Sequence, residues 1–512
     1  MENFVNALNN IIWSNALIVL CMGTGIYFSL RTRFMQVRHV KEMIILLVKG
    51  EKSEQGISSF QAICVSLAGR VGTGNIAGVA TAIAMGGPGA LFWMWAIAFL
   101  GAGSAFVESV LGQVYKEEAD GQYRGGPAYY IEKGMGQKWY GITFAIATVI
   151  AMGFFLPGVQ SNSIAVGVQN AFGVSTVVTG GILVVLLAAI IYGGLKRIAS
   201  SAEFIVPFMA GAYILMAIII IVMNIGQLPD VIALVFRSAF GGEQAFAGIL
   251  GSTIAWGVKR GIYSNEAGQG TGPHAAAAAE VNHPAKQGFV QAFSVYVDTL
   301  FVCSATGFMI LMTGSYNVVS PNGGFITENL PGVEFGPAFT QIAIDKFIPG
   351  FGGAFVAIAL FFFAFTTLMA YYYMSETNIT YLCNRVFKTN NTKVMTHILR
   401  VVILGSTFYG AIKTAALAWT MGDIGVGVMA WLNIIAILIM AKPAIACLKD
   451  YEAQQKAGIH RDDMTFDPVK LGIKNATFWE ERNSKLKAVE EAIVVPEVST
   501  VPEAAETDEN SK

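Results

Sequence analysis

Charge is what this sequence lacks most. Asp, Glu, Lys and Arg make up 13% of its 512 residues, against about 25% in soluble domains, while 54% are apolar. That balance excludes an ordinary soluble chain and implies a polytopic membrane protein whose solvent is the lipid bilayer. A net charge of −1 leaves no nucleic-acid footprint. Cysteine is scarce, and the five present (Cys21, Cys64, Cys303, Cys383, Cys447) lie in or beside apolar segments. Without the paired spacings of a metal site or a secreted disulfide framework, they read as small core residues. Five histidines form no constellation with nucleophiles or metal ligands, which argues against an enzyme and against an organic cofactor. No Walker A sequence is present, so nucleotide hydrolysis is not the driving force. Residues 1–10 hold no basic residue ahead of the first apolar run, so a cleavable signal peptide is not expected.

What is present is a succession of apolar runs of bilayer length. Helices are expected near residues 11–30, 57–85, 88–115, 139–168, 174–193, 203–223, 244–279, 287–313, 350–383, 396–419 and 422–446, about eleven spans in an all-α integral membrane fold. With the first set aside, two interrupted runs (57–85 and 244–279) are the first and sixth of ten. An odd number of spans per repeat forces opposite orientations, so five plus five implies an inverted repeat of the kind secondary transporters use. The chain then divides into an extra helix and loop (1–56), a first repeat (57–223), a second repeat (224–447) and a tail (448–512).

Orientation follows from the loops. One alternate set holds sixteen Lys and Arg; the other offers only Arg237, Lys346 and, near a helix end, Lys413. Cytoplasmic loops carry that excess, which puts the amino terminus outside and the carboxyl terminus inside. Residues 494–512 are acidic, contain proline and are expected to be disordered, and 449–490 offer a short cytoplasmic helix. The stretch 314–349, with Gly323-Gly324 and four prolines, is either a lid or a plain solvated loop.

The two interruptions are costly. Within 57–85 stands Ala68-Gly69-Arg70-Val71-Gly72-Thr73-Gly74-Asn75-Ile76-Ala77-Gly78. Each glycine in a helix interior costs about 1 kcal/mol against alanine, and Arg70 is expensive wherever it faces lipid. Within 244–279, residues 256–273 carry Lys259, Arg260 and Glu266 among five glycines. Unwound backbone survives at membrane depth only where protein or water satisfies it, and transporters place binding sites there. Gly72-x-Gly74-x-x-Ala77 also fits a dinucleotide pattern, but Phe92-Trp93-Met94-Trp95 stands where that fingerprint needs an acid.

Where a helix restarts, free N–H groups and the positive dipole end suit a carboxylate, which makes Thr73 and Gly74 candidate donors to a substrate. Close helix packing is the alternative use of these glycines. Asn75 offers a carbonyl oxygen to Na⁺, and the carbonyls of Ala68 and Val71 can serve a second ion. Thr366 and Thr367 can coordinate Na⁺ or back-bond to their own helix. Gln160 or Asn162 can orient a bound amino acid or bond between helices. Glu266 can pair with Arg260 or Lys259, and Glu108 can accept from the second break. Any of Glu108, Glu266, Asp298 and Glu376 can relay a proton instead, so H⁺ coupling stays open. Tyr371-Tyr372-Tyr373 reads as an interfacial or packing cluster rather than a substrate cage, with Tyr371 alone a candidate substrate-binding residue. An ion channel would use broken helices too, but no repeated filter sequence is present.

Gly69-Arg70-Val71-Gly72-Thr73-Gly74-Asn75-Ile76-Ala77-Gly78, Arg124-Gly125-Gly126-Pro127 and Arg260-Gly261-x-x-Ser264-Asn265-Glu266-Ala267-Gly268 closely resemble the alanine or glycine:cation symporter family of prokaryotes, over about residues 10–447. The resemblance implies a leucine-transporter-like fold, Na⁺-coupled uptake of alanine or glycine by alternating access, and location in the inner membrane. It implies a substrate carboxylate at Thr73 and Gly74. It also implies a Na⁺ held by the carbonyls of Ala68, Val71 and Phe363 and the hydroxyls of Thr366 and Thr367. Two departures, Ala370-Tyr371 for a common Gly-Trp and Gly270-Thr271-Gly272-Pro273 for Gly-Ser-Ala-Pro, sit near the expected pocket. They leave the side-chain preference open to serine, a D-isomer or a larger amino acid, and the oligomeric state is open as well.

Overall fold

A computed structural model describes residues 2–48, 56–388, 391–413 and 415–494. After α1 (Asn15–Arg31) come α2 (Ser59–Arg70), α3 (Val79–Gly86), α4 (Ala90–Val114), α5 (Lys138–Phe172), α6 (Thr176–Ile191) and α7 (Gly194–Met223). The second half brings α8 (Leu250–Asn265), α9 (Gly272–Ala278), α10 (Pro284–Met312), α11 (Gly352–Phe387), α12 (Thr392–Ile412) and α13 (Ala415–Ile439). Among the described residues eight helices are long and apolar enough to cross a membrane, and the pair α2 and α3, bent by 50°, makes a ninth. Two of the eleven expected stretches fall short of that measure. The 16 residues of α6 extend about 24 Å, and α8 is parted from α9 by residues 266–271.

Local signals explain the ends. A capping box starts α2, with Gln61 N–H donating to Ser58 Oγ (3.1 Å) and Ser58 N–H to Gln61 Oε1 (3.2 Å). In α5 a wide turn at Ala151–Phe155 absorbs Pro157, which would otherwise clash with the preceding turn. Large apolar side chains such as Phe204 and Phe208 of α7 and Val185 of α6 stay exposed because their solvent is lipid.

Packing pairs four of the five spans of the first half with their counterparts five spans later; among the described residues, α7 and α13 are the pair that does not pack together. α4 lies on α10, α5 on α11 and α6 on α12, while α3 packs on α8 and α2 on α9. The last two contacts make the broken helices antiparallel. Their ends on the basic-loop face are joined: Ile57 N–H donates to Ala278 O (3.0 Å) and Glu280 N–H to Ile57 O (3.1 Å). On the opposite face, residues 314–349 form a packed cap rather than a solvated loop. β1 (Asn317–Val319) pairs antiparallel with β2 (Phe325–Glu328), and Val318 and Phe339 are buried in one apolar cluster with Val79, Ala80 and Ile83 of α3.

The tail is more structured than its composition suggests. Helices α14 (Ala441–Lys456) and α15 (Thr477–Val494) lie against the basic-loop face. Trp479 is fully buried and donates from Nε1 to Gln113 O at 2.9 Å. Arg482 pairs with Glu280 (3.2 Å), and Arg461 Nη2 meets Glu42 Oε2 (2.7 Å). Of the stretch 494–512 expected to be disordered, Val494 ends α15 and the rest lies outside the described residues. Trp479→Ala should cost about 3–5 kcal/mol of this docking. Limited proteolysis of purified W479A should then cut between α14 and α15 where the wild type resists, and an unchanged digestion pattern would refute the anchor.

Candidate functional site

The first break is held open by redirected hydrogen bonds. Gly72 N–H and Thr73 N–H would continue α2 by bonding to the carbonyls of Ala68 and Gly69. Instead Gly72 N–H donates to Asn75 Oδ1 (2.8 Å) and Thr73 N–H to Gln160 Oε1 (3.2 Å). Ala68 and Gly69 thereby lose their helical donors. The chain restarts as a wide turn, Gly74–Gly78, before α3. Gly72 is required by close approach: a Cβ there would lie 2.6 Å from Thr367 Oγ1 and 3.1 Å from Gln160 Oε1.

Helix α11 presents oxygens to this break. Thr366 Oγ1 and Thr367 Oγ1 both donate to Phe363 O at 2.9 Å, the back-bonding geometry of positions i+3 and i+4. Thr367 Oγ1 also stands 3.5 Å from Val71 O. Two hydroxyls thus gather at Phe363 O, and one of them also faces Val71 O, a hard-oxygen set suited to Na⁺.

The second break rests on carboxylates. Glu108 of α4 accepts Gly268 N–H on Oε1 (3.3 Å), and Gly270 N–H (3.1 Å) and Asn433 Nδ2 (2.7 Å) on Oε2. Asn433 also donates to Gly268 O (2.9 Å) and accepts from the Tyr130 hydroxyl. The turn needs glycine, with φ of +80° at Gly268 and +87° at Gly270. Asp298 of α10 ties the two breaks together. It accepts from Asn75 Nδ2 (2.6 Å) on the first, from Ser264 Oγ (2.9 Å) on the second, and from Thr299 Oγ1 (2.7 Å). Beyond the break, His274 of α9 packs on α11, where Asn378 Nδ2 meets its Nε2 (2.8 Å) and Tyr373 donates to its carbonyl (3.1 Å).

Several expected roles change on inspection. Glu266 pairs with neither Lys259 nor Arg260. Both cations meet Asp423 of α13, Lys259 Nζ at 2.7 Å and Arg260 Nη1 at 2.8 Å. Glu266 instead terminates α8 in the left-handed region (φ 56°), and its Oε2 lies 3.4 Å from where a Gly69 Cβ would stand. Asn162 faces away from the break and donates to Gly410 O (3.2 Å) and Lys413 O (2.6 Å) at the end of α12. Two positions after Gln160 is about 200° round the helix, so both amides cannot serve one site. Asn75 spends its oxygen on Gly72 N–H rather than turning it toward the Ala68 carbonyl. The three tyrosines are buried rather than interfacial and diverge: Tyr371 Oη meets Gln160 Nε2 (3.4 Å), Tyr372 Oη accepts from Arg400 (2.8 Å), and Tyr373 reaches His274. Arg70 is fully buried and bonds from Nη1 to Gln291 O (3.1 Å) and to the Ser294 hydroxyl of α10. Its Nε and Nη2 are buried without a hydrogen bond.

This arrangement, two broken helices lined with backbone donors and hydroxyls, can be set beside known proteins. The model of the sodium:alanine symporter family matches residues 1–466. The chain belongs to the sodium:alanine symporter family. A carrier protein of Bacillus subtilis (strain 168) is 64% identical over 94% of this chain and 98% of its own length. The sodium/proton-dependent alanine carrier protein of Bacillus sp. (strain PS3) is 53% identical, covering 86% and 97%. The sodium/alanine symporter of Methanococcus maripaludis is 37% identical, covering 89% and 98%. Among solved structures, a Na⁺-coupled sialic acid symporter overlays with a TM-score of 0.48 at 12% identity, covering 94% and 98%, too distant to bear on the site. The family consists of membrane carriers, not enzymes.

In this symporter Asp298→Asn puts an amide N–H against a donor that Asp298 now accepts. Leaving such a buried donor unpaired costs about 1–3 kcal/mol. A lower unfolding midpoint of purified D298N in detergent is expected, and an unchanged midpoint would show that Asp298 does not tie the breaks.

Proposed function

We propose that this protein couples inward Na⁺ flow to uptake of a small neutral amino acid, alanine or glycine, by alternating access in a bacterial or archaeal cell membrane. The observation that carries the reading is the oxygen cluster of Val71 O, Phe363 O, Thr366 Oγ1 and Thr367 Oγ1, to which the Ala68 carbonyl, released from its helical donor, is the further ligand we propose. Na⁺ binds there, and the substrate carboxylate lies at Thr73 and Gly74, where the chain restarts toward α3. Gln160 and Tyr371 line the adjoining wall. The two repeats run over 57–223 and 224–447, a division supported by the pairing of four of the five spans with their counterparts. The basic loops face the cytoplasm, with the amino terminus outside.

Electrostatics favours a cation. Around the breaks four buried carboxylates (Glu108, Glu266, Asp298, Asp423) face three buried cations (Arg70, Lys259, Arg260). Counted as ionised, they leave one negative charge for a bound cation to neutralise. Arg260 and Asp423 then act as the closure on the outer side. Proton coupling through Glu266 is the second reading, because Glu266 has no ion pair among the described residues and borders the first break at Gly69.

Proteoliposomes separate the two. Labelled alanine should accumulate under an inward Na⁺ gradient and not under an inward H⁺ gradient, and H⁺-driven uptake alone would move the coupling to Glu266. Thr366→Ala with Thr367→Ala should raise the Na⁺ concentration for half-maximal uptake at least about tenfold, a loss of about 1.4 kcal/mol. An unchanged Na⁺ dependence would remove the ion from this cluster.

A further inference from the structure

The basic-loop face holds a second feature, remote from the breaks. At the end of α1 a cavity of about 480 Å³ is lined by Arg31, Arg33, Lys449, Glu452, Ala453 and Lys456. Lys449, Ala453 and Lys456 stand at i, i+4 and i+7, so one face of α14 forms a wall. The loop after α1 forms the other, where Arg33 and Phe34 adopt left-handed backbone (φ 55° and 53°) and turn Arg33 back over α14.

Glu452 does not neutralise this cavity. Its carboxylate is shared by Arg33 (3.0 Å), Arg38 (2.8 Å) and His39 (3.1 Å). Burial pushes its pKa up, but the hydrogen bonds from Arg38 and His39 outweigh burial and hold it below the usual carboxylate range. It therefore stays ionised and engaged. Arg31, Lys449 and Lys456 have no hydrogen bond or ion pair among the described residues, and all three are exposed. Uncompensated cations that converge on a cavity suit an anion with several oxygens.

Position identifies the anion's carrier. Arg31 is the last residue of an apolar helix, so the cavity opens at the boundary of water and lipid. Just below it, Ile26 (46% exposed) and Leu30 (60%) offer apolar surface on α1, and Val37 (54%) offers more beside the loop. A ligand seated here meets cations at one end and hydrocarbon-compatible surface at the other. We propose that this cavity binds the phosphodiester headgroup of an anionic phospholipid, held by Arg31, Lys449 and Lys456 with Arg33 at the rim, while the acyl chains lie along α1. Cations at such a boundary attract anionic lipid strongly enough for three of them to matter.

The test uses the purified full-length protein in an uncharged detergent, with thermal unfolding followed as lipid is added. Dioleoyl-phosphatidylglycerol should raise the unfolding midpoint of the wild type, and dioleoyl-phosphatidylcholine should not. In R31Q/K449Q/K456Q the phosphatidylglycerol needed for half the shift should rise on the order of a hundredfold. R31K/K449R/K456R, which keeps the charges, should respond like the wild type and shows that the positions tolerate change. Glycerol 1-phosphate, the headgroup without chains, should produce no shift at the same concentration. An equal shift with phosphatidylcholine, an unaltered response in the glutamine variant, or a full shift with glycerol 1-phosphate would each overturn the lipid assignment.

Discussion

A helix cut open inside a bilayer survives only if every freed N–H and C=O finds a partner, because hydrocarbon offers none. Each unsatisfied group would cost several kcal/mol there, and this constraint organises the core. Glu108 collects two backbone N–H groups of the second break, and Gln160 and Asn75 collect two of the first. Asp298 then accepts from a side-chain donor on each break, Asn75 on the first and Ser264 on the second, and so fastens the two together. The N–H side is largely met by protein, whereas on the oxygen side the hydroxyls of Thr366 and Thr367 only back-bond to Phe363 O within their own helix. An ion entering there displaces two local side-chain bonds and leaves the backbone pairing of the breaks intact.

Charge follows the same logic at a larger radius. Lys259 and Arg260 would be costly at this depth, yet they share Asp423 and lie over Trp256, with Arg260 also 5.0 Å over Trp419. Trp13 completes the cluster by donating to the Asp423 carbonyl at 2.8 Å. The first apolar stretch is thereby tied to α13 and α8, so the helix that stands outside the ten is no free passenger. Removing one partner of such a buried group typically costs about 3–5 kcal/mol, since the remaining charge is left unpaired.

Part of this was legible in the sequence, for a physical reason. Glycines and Arg70 within 57–85, and charges within 256–273, violate the rules of a membrane helix, and a violation is visible without its remedy. The remedies were not visible. Asp423, Asn433 and Tyr130 satisfy groups more than 150 residues away, and no local pattern announces such partners. Asp423 was readable only as one more acid in an apolar run. Asn162 misled because a polar island, 160–163, looks like one surface when the helix turns its members in different directions. The docking of α15 leaves little trace in the sequence because a few scattered residues, Phe466, Ile473 and Trp479, supply its apolar contact in otherwise polar surroundings.

On the proposed cycle the described conformation is closed on both sides, since Thr73, Gln160, Thr366, Thr367 and Tyr371 are all buried. The two closures differ in kind. The outer one combines the Asp423 cluster with the apolar cap of 314–349, and water entering it would hydrate the separated charges and offset much of their lost attraction. The inner one rests mainly on backbone groups: the Ile57 bridge to Ala278 and Glu280, the Gln113 amide on Ala276 O and Ala279 O, and the Lys116 ammonium on Ala279 O (3.1 Å), with the single Arg482–Glu280 ion pair beneath them. Trp479 and Arg482 hold it from below. Hydration recovers little when neutral backbone pairs and a buried indole are pulled apart, so inner opening must be driven by rearrangement of the breaks themselves. Asp298, bonded to both, is the group through which a change at Asn75 reaches Ser264 on the second break.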